Sequence, residues 1–366
     1  MGYETVRADA GAIAAAARLA QPARPGDGIA PASGFDLAGT LPLLVDQVAG
    51  EAGVWEPAVC ARALVQARGD VARAVSLVRA WAAMLPRRAT SRSQVGELRT
   101  LRRITPAFRE PEGGQYLGAS LDYAQRLLDF DDGPAASNGA VASNGATRAD
   151  AAPTDRAASG LEQIPRALDE LDRDGLLDPG PAAHARDGTR APAEANRERG
   201  AFDQLLARAE TGALTAIAYT SIRGTDAAAT LAELRLGELD VCVEHPHTGG
   251  RVRVGAVPAT IAEVVLYGGR QKADGRLGVG VGATLGRVER RAISAAVLDA
   301  NCAATTRDPA VAPSPSEDQE FLRIALDGQE ATGFLEHLKL PHHVTFTSVL
   351  DRIAERREGE EEDDEG

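Results

Sequence analysis

Apolar residues recur at helical spacing through the first 90 positions. Residues 10–20 form an alanine-rich run that breaks at the Pro/Gly-rich stretch 22–27. Leu37, Leu41, Leu44, Val45 and Val48 then share one helical face. Pro57 suits the first turn of the next helix, which should stop near Gly69. Asp70 caps a third helix, with Val71, Val75, Val78 and Trp81 along one side. The outer face of that helix carries only Arg73 and Arg79, so the spacing predicts packing rather than DNA reading.

The pattern changes after residue 99. Arg99, Arg102 and Arg103 precede a loop punctuated by Pro and Gly, and an amphipathic helix is expected over 121–130. The string ASNGA occurs at 136–140 and again at 142–146. Such a segment buries too little apolar surface to offset its ordering entropy, so 131–159 is expected to be a flexible insert. Residues 161–178 read as helical and 179–199 as irregular. Further on, 202–209 reads as a helix and 214–219 as a buried strand. Leu239, Val241 and Val243 alternate with polar positions, as do Val252 and Val254, predicting an antiparallel hairpin across 245–250. Residues 261–267 add a strand or a turn of helix, and 287–300 is an amphipathic helix with Ile293, Ala296, Val297 and Ala300 inward. The expected fold class is α+β, a helical N-terminal region followed by a mixed helix–sheet core with antiparallel hairpins. The expected division is 1–130, the insert 131–159, a core over 160–357 and a disordered acidic tail at 358–366.

Composition narrows the function classes. The chain has 366 residues, 44% of them hydrophobic, which excludes wholesale disorder. Its net charge of -13 argues against non-specific nucleic-acid binding. Lys272 and Lys339 are the only lysines. An arginine-for-lysine bias under an acidic surface fits a salt-adapted, halophilic host. The sequence has no apolar run long enough for a membrane span, and its start lacks the pattern of a signal peptide or a myristoylation site. A cytoplasmic protein is expected. Cys60, Cys242 and Cys302 are too few and too far apart for a disulfide framework or an iron–sulfur cluster, and read as buried small hydrophobes.

Chemistry concentrates in a few places. Of the six histidines, His337, His342 and His343 fall within seven residues. A continuous helix would turn positions five apart by about 140°. Pro341 ends the helix, so His337 and His342 can face one cation. Two ligands do not close a zinc site, and solvated or helix-capping histidines remain the alternative. His245 and His247 fit a hairpin loop. The string GVGVGA at 278–283 satisfies GxGxxA, but the polar, turn-like 271–276 precedes it where a dinucleotide fold needs a strand. A close-packed backbone or a loop is the expected reading. Gly113, Gly114 and Gln115 open a second glycine loop, with Asp122, Tyr123, Arg126 and Asp129 downstream. Such a loop either cradles phosphate oxygens or simply turns the chain. Arg223 and Gly224 form a similar pair. Glu289 opens the 287–300 helix, where the helix dipole alone favours a carboxylate.

Several of these segments together resemble the PhnI family, subunit I of the bacterial carbon–phosphorus lyase complex of phosphonate catabolism. They are GYETVRADAGAIAAAARLA at the start, GGQYLGASLDYAQRLLDF at 113–130, AIAYTSIRG at 216–224, GELDVCVEHP, ERRAISAAVLDA at 289–300, DQEFLRIALDG, and FLEHLKLPHHVTF at 334–346. They run in the family's order over nearly the whole chain; the ASNGA insert and the acidic tail lie outside them. The resemblance implies transfer of an alkylphosphonate to C1′ of a nucleoside triphosphate, usually Mg-ATP, with release of adenine, within a complex. Alone, such a subunit would act as a nucleosidase. It implies zinc on His337 and His342, completed by a histidine of the radical subunit, which is one of the expected partners. Within the matched blocks we assign Asp122 to the sugar and Glu289 as a candidate acid. Tyr123, Arg126, Arg223, Gly224 and Lys339, with the loop at Gly113, Gly114 and Gln115, are assigned to substrate binding. No nucleic acid or membrane partner is expected. The alternatives are a non-catalytic scaffold subunit and an NAD(P)-dependent oxidoreductase using 278–283.

Overall fold

The computed structural model describes residues 10–20, 37–91, 95–122, 128, 165–178, 199–224, 227–268, 275–305, 314–340 and 342–364. Contacts divide the chain into two units, Leu37–Gly328 and Met1–Asp36 with Gln329–Gly366. Helix α1, Ala10–Ala20, belongs to the smaller. Most of the expected helix at 121–130, the insert 131–159 and most of 179–199 lie outside the described residues.

The larger unit opens with helices α2 (Leu37–Thr40), α3 (Pro42–Ala52), α4 (Pro57–Gln66) and α5 (Val71–Ala83). Proline stands in the first turn of α3 and α4, where its missing amide costs nothing. The Asp70 carboxylate accepts from the Arg73 amide at 3.1 Å, the cap expected for α5. Val45, Val48, Cys60, Leu64, Val75 and Val78 close a small helical core.

A four-stranded antiparallel sheet follows, in the order β1 (Arg99–Ile104), β2 (Ala227–Glu244), β3 (Arg251–Gly268), β4 (Gly278–Leu285). Around it lie α6 (Ala167–Arg173), α7 (Arg199–Ala207), α8 (Thr211–Gly224), α9 (Glu289–Thr305) and α10 (Gln319–Ala325). The fold is α+β. Adjacent Val264 and Val265 on β3 enter different apolar clusters, so both sheet faces are covered. One cluster joins Leu234 and Val264 to Phe202, Leu214, Ala296 and Leu298 of the helices; the other joins Ala232 and Val265 to Ala167 and Leu168 of α6.

The hairpin β2–β3 turns where the alternation placed it. The His245 amide donates to Gly250 O at 2.7 Å, and Gly249 takes a φ of +67°. His245 Nδ1 accepts from the Thr248 amide at 3.2 Å, so this histidine builds the turn. The strands are far longer than the alternating segments suggested, and 261–267 belongs to β3. In β2, residues 234–238 pair with β1; in β3, residues 259–266 pair with β4. Beyond these, β2 and β3 continue as a two-stranded ribbon.

The glycine string 278–283 is strand β4. A Cβ on Gly280 would stand 2.0 Å from Ala296 O, and one on Gly282 would stand 2.1 Å from Ala292 O. The backbone of α9 thus fills the space that a pyrophosphate would need, which removes the site of the oxidoreductase reading.

Two expectations are corrected. Residues 214–219 are not a strand but lie inside α8. Leu214 and Ala218 are buried at i, i+4, whereas Tyr219 is 62% exposed, which a buried strand does not allow. The Glu210 carboxylate accepts from the Gly212 and Ala213 amides at 2.8 and 2.6 Å and holds the start of α8. Of the acidic tail at 358–366, expected to be disordered, the described part up to Asp364 is the end of a helix. In the smaller unit, α11 spans Gly328–His337 and α12 spans His343–Asp364. Glutamate and arginine are strong helix formers, and here that propensity outweighs like-charge repulsion. Among the described residues no helix is long and apolar enough to cross a membrane.

Candidate functional site

Strand β1 carries Arg102 and Arg103 on successive positions, and both side chains are 2% exposed. Arg102 Nε donates to Glu289 Oε1 at 2.6 Å, Nη1 to Leu117 O at 2.6 Å, and Nη2 to Asp122 Oδ2. One buried guanidinium therefore gathers the two carboxylates that the sequence singled out, 20 and 187 positions away. The loop reaches it because Gly118, at φ +61°, lies against β1; a Cβ there would stand 2.7 Å from Leu101 O. Glu289 is the first residue of α9, where the helix dipole favours its charge. The Ser120 hydroxyl holds the Asp122 carboxyl below the usual range, against desolvation and with further help from the Arg102 guanidinium. Asp122 is half exposed and Glu289 about a quarter exposed. Both are open acceptors on a closed base.

Arg103 anchors the glycine loop from the other side. It donates to Glu112 O at 2.6 Å, to Gly114 O at 3.0 Å and to Pro165 O at 3.1 Å, and it pairs with buried Glu233. The Gly114 amide donates to Pro111 O at 2.9 Å, and the φ values of Gly113 and Gly114 are +77° and +74°. These contacts form a turn, with that amide committed to it. On β3, Glu263 is 1% exposed and accepts from Arg166 Nη1 at 3.2 Å. Burial pushes Glu263 up to about 7, against the opposing pull of Arg166 and Arg235 and with a smaller push from Glu233. Its second oxygen has no hydrogen-bond partner among the described residues. Asp203 rises to about 7 as well, through burial and then the charge of Asp299. Asp299 itself takes both arms of Arg199, at 3.1 and 2.6 Å. The three cysteines are buried and free, and burial pushes Cys60 up to about 11.

Tyr123 and Arg126 lie outside the described residues. Arg223 and Gly224 end α8, so Arg223 sits on the last turn of a helix rather than at a strand end. Lys339 is exposed and pairs with Glu336. Sequence reasoning missed the organising roles of Arg102 and Arg103 and the buried charges Glu233, Arg235 and Glu263. Alternation of Glu233 and Arg235 with Leu234 and Leu236 has the look of a strand with one wet face; only the α6 cover makes it dry.

In the smaller unit, α11 ends at His337 and α12 starts at His343. The rings of His337 and His342 lie 5.1 Å apart between centroids, at 85°. Two imidazoles bound to one tetrahedral zinc, with Zn–N of about 2.0–2.1 Å, place their centroids about 5 Å apart. The pair fits. His342 Nδ1 lies 2.5 Å from Leu340 O, a contact that fixes the ring and leaves Nε2 to point elsewhere. Among the described residues no group of three or more His, Cys, Asp or Glu gathers to hold a metal.

Two buried arginines of β1 thus fasten a glycine loop and bring its Asp122 to the same guanidinium as Glu289 of α9, and a separate histidine pair lies in the smaller unit. Over residues 2–360 the chain matches the bacterial phosphonate metabolism protein (PhnI) family, and it belongs to that family. Its relatives include a putative C-P lyase subunit protein, HtxH, of Stutzerimonas stutzeri, 37% identical over 96% of this chain and 95% of the relative. The alpha-D-ribose 1-methylphosphonate 5-triphosphate synthase subunits PhnI of Rhizobium meliloti (strain 1021) and Escherichia coli (strain K12) are 33% and 34% identical. They match over 97% and 96% of this chain and over 95% and 97% of their own lengths.

Proposed function

We propose that this chain is a subunit of a carbon–phosphorus lyase complex that joins an alkylphosphonate to C1′ of a nucleoside triphosphate and releases adenine. Family membership and the names of the relatives support the assignment to phosphonate breakdown. The observation that carries the chemistry is the meeting of Asp122 and Glu289 on Arg102. Substitution at an anomeric carbon passes through an oxocarbenium-like state, and ionised carboxylates beside the ring stabilise it. Asp122, held below its usual range, is ionised at neutral pH and suits that work. Glu289, accepting from a guanidinium, is set up as an acceptor rather than as the acid expected from the sequence. The proton for the departing purine then comes from another group.

His337 and His342 would hold a zinc ion whose remaining ligands come from a partner subunit. When bound, zinc supplies a Lewis acid for phosphoryl or phosphonyl oxygens. The test is adenine release from Mg-ATP plus methylphosphonate, followed chromatographically with the full chain and its companion subunits. Asp122→Asn should lower the rate by about 10–100-fold, the loss of one charge-assisted interaction or more. Undiminished turnover removes Asp122 from the reaction. Purine release by the full chain alone would favour the nucleosidase reading over the scaffold alternative.

A further inference from the structure

Four arginines in the larger unit meet carboxylates through the same Nε–Nη2 edge: Arg166 on exposed Asp169 three positions on, and Arg199, Arg287 and Arg102 on carboxylates distant in the chain. Arg199 places both oxygens of Asp299 on that edge, and Arg287 places both oxygens of Asp46 on it, at 2.7 and 3.2 Å. In each of these the carboxylate is the buried partner, 2% exposed, and the arginine is the more open one. That is the geometry of a structural fastener. Arg102 inverts it. The arginine is 2% exposed, the edge is split between Glu289 on Nε and Asp122 on Nη2, and the two carboxylates are 24% and 49% exposed.

We propose that Arg102 is a positioning residue that sets Asp122 and Glu289 side by side as a paired acceptor for two neighbouring hydroxyls of a pentose. Splitting the edge brings one oxygen of each carboxylate to the Nε–Nη2 side, while the second oxygen of each makes no hydrogen bond to the guanidinium and the Ser120 hydroxyl flanks the Asp122 carboxyl. Two like charges accept this closeness because the buried cation lies between them and below them. A third arm of Arg102 ties the same group to Leu117 O, at 2.6 Å, so the loop carrying Asp122 cannot drift from α9. Vicinal hydroxyls present two donors at the spacing of neighbouring carbons, and each would give a charge-assisted hydrogen bond. A divalent cation is the weaker fit, because the guanidinium already neutralises one of the two negative charges it would seek. The inference rests on the functional reading above and deepens it: the substrate is bound through the 2′ and 3′ hydroxyls of its ribose.

The test uses the full chain with its companion subunits, and ATP, 2′-deoxyATP and 3′-deoxyATP as probes. Affinity is read by calorimetry and turnover by adenine release. The native protein should prefer ATP by about tenfold or more over either deoxy analogue. In Arg102→Gln and Arg102→Lys that preference should fall below about twofold, because neither side chain supplies the forked edge. A merely structural arginine would weaken all three ligands alike and leave the preference intact. Asp122→Asn and Glu289→Gln serve if the Arg102 variants unfold, each expected to lose the preference for one hydroxyl. Equal binding of the three nucleotides by the native protein overturns the inference, as does an unchanged preference in the variants, and both leave the functional reading standing if adenine is released. Preference for the diol without any turnover overturns the reaction and keeps the inference. Failure to bind ATP at all overturns both.

Discussion

Glu263 lies against charges from three elements: Arg166 and Asp169 of the α6 N-terminus, Glu233 and Arg235 on β2, and, behind Glu233, Arg103 on β1. A free glutamate loses its proton near pH 4.3, whereas this one keeps it to about 7 in the folded state. Between those values the native chain holds a proton that the unfolded chain has released, so stability falls as pH rises. Asp203 acts in the same direction over a similar window. Glu263→Gln removes one titration. Relative to the native chain it should gain up to about 3 kcal/mol between pH 5 and pH 8. Urea unfolding at the two pH values measures it, and a constant difference would show that Glu263 ionises freely in the fold. At this scale residue types were legible but their surroundings were not. Asp122 and Glu289 were legible because each sits in a recognisable block; Arg102 was visible only as one of three nearby arginines. Nothing local tells which of them will be buried, since that depends on a loop 15 to 20 positions away and on a helix 187 positions away.

At the scale of elements, a strand and a helix of the larger unit approach backbone to backbone. Gly280 and Gly282 let β4 lie on the backbone of α9, and α9 begins with Glu289. Gly282→Ala should cost about 1–3 kcal/mol or more, because the obstructing atoms are backbone and cannot swing away. It should also displace the start of α9 and so slow adenine release. Gly255→Ala on β3 is the matched control, with nothing within 4 Å of the added carbon and an expected effect near zero. Thermal unfolding of the pair gives the comparison. The helices α3, α4 and α5 and the hairpin turn could be read directly, through proline, Asp70 and strict alternation. The 214–219 run could not, because a short apolar stretch fits a buried strand and a buried helix equally until its exposed residues are known.

For the whole molecule, the division into two units separates two chemistries. Arg102, Asp122 and Glu289 belong to the larger unit; His337 and His342 lie beyond Gly328 in the smaller. Replacing either histidine by alanine should lower the zinc carried by the assembled protein, measured by mass spectrometry of the metal, without moving the unfolding midpoint of the larger unit. A zinc content equal to the native value would mean that the metal sits elsewhere. The proline between the two histidines, from which the bend was expected, is outside the described residues, and the two rings meet edge to face with centroids 5.1 Å apart. The ribbon formed by the outer parts of β2 and β3 has one further result. Past residue 238 and before 259 these strands pair, among the described residues, with no third strand, and the tip side chains Val252 and Val254 are exposed. A pair of strands without a third is marginal in water. Backbone amides near the turn should therefore trade hydrogen for deuterium far sooner than those at Ile261 or Leu234, so that the hairpin frays from its tip while its base stays closed.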